Sequence, residues 1–425
     1  MKKYLALLLA MVLTLALCAC ASAQVQQTEP AKQEDAESAL PQEQPESEEQ
    51  EVESSGKMVT VNGFTYDDTA FHAEDAANRT IHVSYGGGSL CTSPMALAYF
   101  LGYYEAEGLD VEIISVESDK EALASGKIDA TGGFLASWLP AISNGVGFTF
   151  TTGIHTGCGS VVVLADSDIQ SYQDCVGATI AVSGGFGSGV HNYGMRSVIH
   201  EGLSVEDFKW INFDASLGLE VLKKGDAQIL VAADQMVQKW IDDGSVRRIH
   251  SNTFDEDFKD EPCCVFGLSS AFIENNPICA EKMTRAVYRA CLWVDQNDEN
   301  KYAAVQMLAD NYGFNVNPDY AVKLMKLWKF GVSNAQCEMC LENSVDEYVA
   351  AGIIDASADL LGFDVSYEYQ YHVFGDIPLF VKFNQLAQAG ILQMFGQADD
   401  GTGVRMSLKS FLHHELVLCT SLVIL

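Results

Sequence analysis

The stretch that most constrains the fold is residues 179–203, TIAVSGGFGSGVHNYGMRSVIHEGL. A short apolar run stops at Ser183, a glycine-rich turn follows, and the pattern then predicts a helix that ends near Gly202. Glycine allows backbone N–H groups to turn toward a ligand because no Cβ stands in the way. Ser188 is suited to cap the helix, whose N-terminus has partial positive charge. The stretch therefore predicts a strand–loop–helix corner that can hold a small anion or a polar organic molecule.

The spacing of these glycines excludes three better-known motifs. A dinucleotide fingerprint would need glycine where Val190 stands, and a P-loop would need a lysine that the stretch lacks. A hydrolase elbow would need glycine at Phe186, two residues before Ser188. Two interpretations remain at even weight from this stretch alone: a ligand-binding turn, or a plain tight turn beneath a surface helix.

Short strands and helices alternate through most of the chain. Strands are predicted at residues 81–85, 111–116, 130–134, 148–152, 160–164, 179–182, 210–213, 228–232, 246–249 and 263–269. One helix is predicted over residues 94–107, and a helical region follows the last strand. Alternation with short links predicts an α/β fold with two mostly parallel, doubly wound sheets. Ligands bind such sheets at the carboxyl ends of the strands.

The N-terminus predicts export and anchoring. Residues 1–19 combine two early lysines with an apolar run that is too short to be a retained membrane helix. Leu17-Cys18-Ala19-Cys20 resembles a bacterial lipobox, with Cys20 as the lipidated residue. The alternative is an ordinary signal cleaved near Ala23. Residues 20–57 are acidic and poor in large apolar side chains, which predicts a disordered tether that holds the folded part outside the cell membrane.

Charge and motif content exclude several functions. The net charge of −33 repels nucleic acid and anionic lipid, so neither is an expected partner. The pair Cys337-x-x-Cys340 lacks a second pair or histidines at zinc-finger spacing, so no metal site and no cofactor are expected. No zinc-protease motif and no Ser/His/Asp grouping stands out, so the chain is predicted not to be an enzyme and to have no catalytic residues.

Several short segments, taken in order, resemble one known family. They are EGLDVE at residues 107–112, GKIDA at residues 126–130, HTGC at residues 155–158 and YQDCVGATIAV at residues 172–182. Their order is similar to that in the solute-binding proteins of ABC importers, in the branch that serves nitrate, sulfonate, taurine, bicarbonate and thiamine-precursor uptake. The resemblance covers residues 57–355.

This resemblance implies a two-lobed, type II periplasmic-binding-protein-like fold. Lobe 1 would comprise residues 58–165 and 262–355, lobe 2 residues 166–261, and residues 356–425 would form an extension of unclear structure. The implied protein is a monomer that delivers a small solute to a permease and an ATPase. The loops offer hydroxyls and helix N-termini for nitrate or a sulfonate, but no nearby Lys or Arg, and their aromatic side chains suit an organic ligand equally well.

The resemblance also implies that the ligand lies between the lobes, on loops at strand ends. The expected ligand-binding residues are Tyr85, Gly86, Ser93, Phe134, Ser137, His155, Gly157, Ser183, Gly187, Ser188, His191, Asp214 and Asp234.

Two alternatives to transport stay open. A binding lipoprotein of this kind could sense a ligand and signal through a membrane kinase. The fold family also includes a fungal enzyme that makes the thiamine pyrimidine and contains a CCCFC-type segment. Here Cys263-Cys264-Val265-Phe266-Gly267 lacks two of those cysteines, which argues against its iron chemistry.

Overall fold

The computed structural model describes residues 56–61 and 64–355. Within this part of the chain, no helix is both long enough and apolar enough to cross a membrane. The predicted signal, the lipidation site Cys20, nearly all of the predicted tether and the extension at residues 356–425 lie outside the described residues.

The strands form a hairpin and two larger sheets. They are β1 (Met58–Val61), β2 (Phe64–Asp67), β3 (Ile81–Ser84), β4 (Val111–Ile114), β5 (Ala130–Phe134), β6 (Phe148–Thr156), β7 (Gly159–Leu164), β8 (Thr179–Ser183), β9 (Lys209–Phe213), β10 (Ile229–Ala233), β11 (Val246–Ser251), β12 (Pro262–Ser269) and β13 (Phe330–Val332). Strands β1 and β2 pair with each other, and the other strands belong to the two larger sheets.

Helices flank both larger sheets. They are α1 (Asp68–Ala73), α2 (Pro94–Phe100), α3 (Tyr103–Ala106), α4 (Asp119–Ala124), α5 (Leu135–Ser143), α6 (Gly189–His200), α7 (Gly218–Lys224), α8 (Asp234–Asp242), α9 (Ser270–Asn275), α10 (Pro277–Gln296), α11 (Asp298–Tyr312), α12 (Pro318–Met325) and α13 (Asn334–Ala350). The single helix predicted over residues 94–107 is interrupted at Gly102, whose φ of 69° is a left-handed conformation that an α-helix does not contain.

The first sheet has the strand order β13-β6-β12-β5-β3-β4, and the second has the order β11-β7-β10-β8-β9. In the first sheet β3 is parallel to β4 and β5, and in the second β8 is parallel to β9 and β10. The remaining pairs in both sheets are antiparallel. The predicted α/β class with two helix-flanked sheets is confirmed. The prediction that both sheets are mostly parallel is wrong, because both are mixed.

The antiparallel strands arise where the chain passes between the sheets. Strand β6 of the first sheet runs through Gly157 and Cys158 directly into β7 of the second sheet. After β11 the chain returns to the first sheet on β12, which lies between β5 and β6. These connecting strands are buried along most of their length, so the passage between the sheets is part of the core.

Candidate functional site

The predicted corner at residues 179–203 forms as expected. Strand β8 ends at Ser183, and helix α6 begins at Gly189 with Ser188 as its cap. The Ser188 hydroxyl accepts a hydrogen bond from the backbone N–H of His191 and donates one to the carbonyl of Ser183. Gly184, Gly185 and Gly187 all have positive φ, which glycine adopts at little cost. The conformation of this corner is therefore defined by hydrogen bonds and by glycines with positive φ.

Polar contacts inside this loop fix the direction of its backbone. The N–H of Gly185 donates to Oδ1 of Asn212 at 3.0 Å, and the N–H of Gly187 donates to Nδ1 of His191 at 3.0 Å. Because that backbone N–H is the donor, Nδ1 of His191 accepts and carries no proton. Partial burial lowers the pKa of His191, which favours this neutral ring. The side chain of Phe186 is 60% exposed, so the loop offers an aromatic surface to solvent.

The end of β5 in the first sheet touches the start of α6 beside the second sheet. A Cβ at Gly189 would lie 2.3 Å from Cδ1 of Phe134, so only glycine permits this contact. The ring centroids of Phe134 and Tyr193 are 6.5 Å apart. Asn192 Nδ2 donates a hydrogen bond at 2.8 Å to the carbonyl of Ala136 on α5. The strand ends of the two sheets thus face each other, with Phe134 between them.

The predicted residues after β3 use their hydroxyl groups within their own loop. The Tyr85 hydroxyl donates to the carbonyl of Ser89 at 2.8 Å, and Ser93 donates to the carbonyl of Leu90 at 2.8 Å. Both side chains are buried, while Gly86 between them is exposed. Ser137 likewise donates to the carbonyl of Phe134. These hydroxyl groups therefore stabilise the loops by local hydrogen bonds, and the backbone of Gly86 is exposed to solvent.

Asp234 lies at the start of α8 and is fully buried. Its carboxylate accepts hydrogen bonds from the hydroxyls of Ser160 and Thr253, each at 2.5 Å, and lies 3.5 Å from Arg248 Nη2. Arg248 is a cation that sequence reasoning missed, because it projects from the antiparallel strand β11 rather than from a strand-end loop. Asp214, by contrast, is exposed and accepts hydrogen bonds from Ser216.

The predicted residues therefore fall into two groups. Those with solvent access are Gly86, Phe134, Ser137, Gly187, Ser188, His191 and Asp214. Those that are buried are Tyr85, Ser93, His155, Gly157, Ser183 and Asp234. Gly157 is buried against Thr253, whose Oγ1 would lie 2.6 Å from an added Cβ. The ligand roles of both groups stay predictions.

The sequence did not predict a cluster of three cysteines and one histidine that lies beside Phe134. Donor atoms of Cys91, His155, Cys158 and Cys264 all lie within 4.8 Å of one another. Cys264 is directly opposite both Phe134 and His155 across the first sheet. In the sequence, Cys158 belongs to the segment HTGC and Cys264 to the segment compared with the CCCFC motif. The spacing of these residues does not connect either of them to Cys91.

Comparison with known families and structures agrees with this geometry. Residues 92–300 match the family model described as NMT1/THI5 like. No curated protein sequence matches the chain.

Several solved structures have the same fold. One is the periplasmic aliphatic sulphonate-binding protein SsuA from Escherichia coli, with 15% identity and a TM-score of 0.54 over 67% of this chain and 91% of that one. Another is the alkanesulfonate-binding protein SsuA from Xanthomonas axonopodis pv. citri bound to MOPS, with 17% identity and a TM-score of 0.52 over 66% of this chain and 95% of that one. The periplasmic nitrate-binding protein NrtA from Synechocystis PCC 6803 has 16% identity and a TM-score of 0.53 over 75% of this chain and 90% of that one. These similarities establish the periplasmic-binding-protein fold.

Proposed function

Because the chain contains an NMT1/THI5-like domain in a periplasmic-binding-protein fold, we propose that it is the extracytoplasmic solute-binding component of an ABC importer. It captures a small anion or small organic solute between lobe 1 (residues 58–165 and 262–355) and lobe 2 (residues 166–261). The monomeric, liganded protein then delivers the solute to a permease that works with an ATPase.

The observation that carries this proposal is the contact between Phe134 and Gly189. The two residues end β5 and begin α6, which pack on different sheets. A solute held beside this contact touches both lobes, so it favours the closed state by its differential affinity. Hinged closure of this kind is how periplasmic binding proteins respond to their ligands. Binding and release need no covalent chemistry.

The chemistry of this region suits a sulfonate or a similar oxyanion with an organic body. Helices α5 and α6 begin at the facing strand ends, and a helix N-terminus attracts negative charge. Phe134 and Phe186 offer aromatic surface for the rest of the ligand. The similar SsuA proteins are described as binding sulphonates, and the similar NrtA protein as binding nitrate.

The test is a thermal-shift titration of the full chain with nitrate, taurine, aliphatic and aromatic sulfonates, and pyrimidines. A true ligand at a hundredfold over its dissociation constant stabilises the folded state by about 2.7 kcal/mol. The proposal expects at least one oxyanion in the panel to raise the melting temperature. Chemical turnover of any compound in the panel would overturn it in favour of an enzyme.

A matched pair of cap variants tests the location of the site. Ser188 caps α6 beside Phe134, and Ser171 caps a short helical turn just before β8, at the opposite end of that strand. Ser188→Ala and Ser171→Ala each remove a cap and should each cost about 1 kcal/mol of stability. Only Ser188→Ala should weaken solute binding. Equal affinity in the two variants would contradict a site at this corner.

The lipid anchor is a separate part of the proposal. Cys20 becomes lipidated after export, and the acidic tether connects it to the folded domain. The full chain should therefore sediment with bacterial membranes, whereas Cys20→Ala should be recovered in the soluble extracytoplasmic fraction. Membrane association that persists in Cys20→Ala would rule out this anchor without affecting the solute-binding proposal.

A further inference from the structure

Four buried or partly buried ligand-type side chains meet where the chain passes between the two sheets. Cys91 comes from the loop after β3, His155 from β6, Cys158 from the β6–β7 connection and Cys264 from β12. One donor atom of each side chain lies within 4.8 Å of the donor atoms of the other three. His155, Cys158 and Cys264 are buried, and Cys91 is partly exposed. We name this set the Cys3His cluster.

The backbone holds two of the thiols in place independently of each other. Cys264 on β12 pairs directly with His155 on β6, and side chains of paired residues lie on the same face of a sheet. Cys158 has φ of 141°, and no other non-glycine residue in the described part of the chain has a positive φ. Oδ1 of Asn252 accepts hydrogen bonds from the N–H groups of Cys158 and Gly159. Such a conformation costs about 1–3 kcal/mol, and it is typical of functional positions.

His155 is oriented as a metal ligand should be. Its Nδ1 lies 3.0 Å from the carbonyl oxygen of Thr156, and a carbonyl only accepts, so Nδ1 holds the proton of that hydrogen bond. Trp328 stacks on the ring at a centroid distance of 4.9 Å. The other ring nitrogen, Nε2, is buried and has no hydrogen-bond partner among the described residues. Metal-bound histidines characteristically donate their second ring N–H to a carbonyl or carboxylate in this way.

We propose that the Cys3His cluster is a closed, four-coordinate zinc site. Three thiolates and one imidazole form an established ligand set for structural Zn²⁺, and soft sulfur ligands disfavour Mg²⁺ and Ca²⁺. With Zn–S bonds of about 2.3 Å, sulfur atoms in a tetrahedral site lie roughly 3.8 Å apart. Donor atoms that already lie within 4.8 Å of one another need to approach by only about 1 Å.

The site has no open coordination position, so its role is structural. It joins the loop after β3 to β6, to the β6–β7 connection and to β12, which are the segments at which the two sheets are connected. Zinc would fix these connecting segments, and His155 would then bind the metal rather than the solute. This inference departs from the sequence expectation of no metal. His155 and Cys158 are three positions apart in one segment, but Cys91 and Cys264 lie far from them along the chain, so the sequence shows no complete metal-binding motif.

The direct test is the metal content of the full chain, purified with reductant and without chelator. Plasma mass spectrometry should find about one zinc per chain in the wild type. Cys158→Ser and Cys264→Ser should each lose that zinc. Cys291→Ser, at a buried cysteine on α10 outside the cluster, is the matched control and should retain it. Retention of zinc in both cluster variants would overturn the proposal.

A second measurement needs no variant and so does not depend on variant folding. Titration of metal-depleted wild type with Co²⁺ should produce thiolate-to-cobalt charge-transfer absorption that saturates at about one equivalent and disappears when Zn²⁺ is added. Absence of that absorption would overturn the proposal. So would mass-spectrometric detection of a disulfide joining two of the three cluster cysteines in protein isolated without reductant. Solute titrations are separate, so failure of the importer proposal leaves this result unchanged.

Discussion

Nε of Arg196 donates a hydrogen bond to Oε2 of Glu347 at 2.6 Å, and this contact joins two helices that pack on different sheets. Arg196 lies on α6 and Glu347 on α13. The same guanidinium makes two further hydrogen bonds to Glu261, the residue before β12. Arg196 is 4% exposed and stacks over Phe258 at 4.6 Å. One buried cation thus ties α6, α13 and the returning strand together.

Removing the guanidinium group of Arg196 should strongly reduce the free energy of unfolding. Arg196→Ala leaves the partly buried Glu261 without its cation, whereas Glu347 keeps His200 as a partner. Breaking a buried pair in this way costs about 3–5 kcal/mol. Lys323→Ala is the control, because Lys323 pairs with Asp242 at 2.5 Å but is half exposed, and exposed pairs contribute about 0–1 kcal/mol. Urea unfolding followed by circular dichroism measures both. A similar loss in the two variants would contradict the role given to Arg196.

The contact between Phe134 and Gly189 should not tolerate a methyl group. In Gly189→Ala the ring of Phe134 must move, because its Cδ1 lies 2.3 Å from the position of the new Cβ. Overpacking of this kind costs about 1–3 kcal/mol, and the displaced ring should also weaken solute binding. Gly147→Ala is the control, since its nearest neighbour would be an ordinary 3.7 Å away. If Gly189→Ala and Gly147→Ala have the same free energy of unfolding and the same solute affinity, the close contact between Phe134 and Gly189 is disproved.

His250 should make stability fall in mild acid. Burial is the main cause that lowers its pKa to about 4, and its ring nitrogen Nδ1 lies 2.7 Å from the Tyr193 hydroxyl. In the unfolded chain histidine titrates near 6.5, so the unfolded state binds the proton first as the pH falls. This contribution to stability is complete above about pH 6.5 and is lost progressively down to about pH 4.

The size of the effect can be measured between pH 7.5 and 5.5. Over that interval the His250 term should reduce the free energy of unfolding by about 1.4 kcal/mol. His250→Gln should lack this part of the decrease, although it is less stable at both pH values. His72→Gln, at an exposed position, should follow the wild type. A pH dependence that is identical in wild type and His250→Gln would show that His250 is not the group responsible. Other charged groups lie near the His250 ring, namely Glu201, Asp255, His200 and Arg196. They are present in both the wild type and His250→Gln, so their contribution to the pH dependence is common to the two proteins.

Glu107 should be essential to the packing of α10. Its fully buried carboxylate accepts from Arg285 Nε at 2.8 Å and lies 4.0 Å from Lys282 Nζ. Glu107→Gln keeps the shape but leaves buried cations without a counter-charge, so a loss of about 3–5 kcal/mol is expected. Glu105→Gln, at an exposed position two residues earlier, should change stability by about 0.5 kcal/mol or less. Guanidinium unfolding compares them, and a neutral Glu107→Gln would refute the charge argument.

Local patterns in the sequence predicted the features that depend on neighbouring residues. The run at residues 179–182, the glycine turn and the cap at Ser188 define a strand, a loop and a helix, and all three form. The strand β13 was missed because it has three residues and lies within the region that the sequence predicted to be helical, just after α12 ends at Met325. Three residues are too few to show an alternating pattern.

The sequence alone determined the class of fold, the alternation of strands and helices, and the corner before α6, because periodicity and capping act over a few residues. Only the tertiary structure decided which distant side chains share an environment. Arg196 and Glu347 are separated by 151 positions. In the Cys3His cluster, Cys91 and Cys264 lie far along the chain from His155 and Cys158. Those contacts depend on the register of β6 against β12 and on the packing of α6 against α13. Spacing along the chain does not encode either of them.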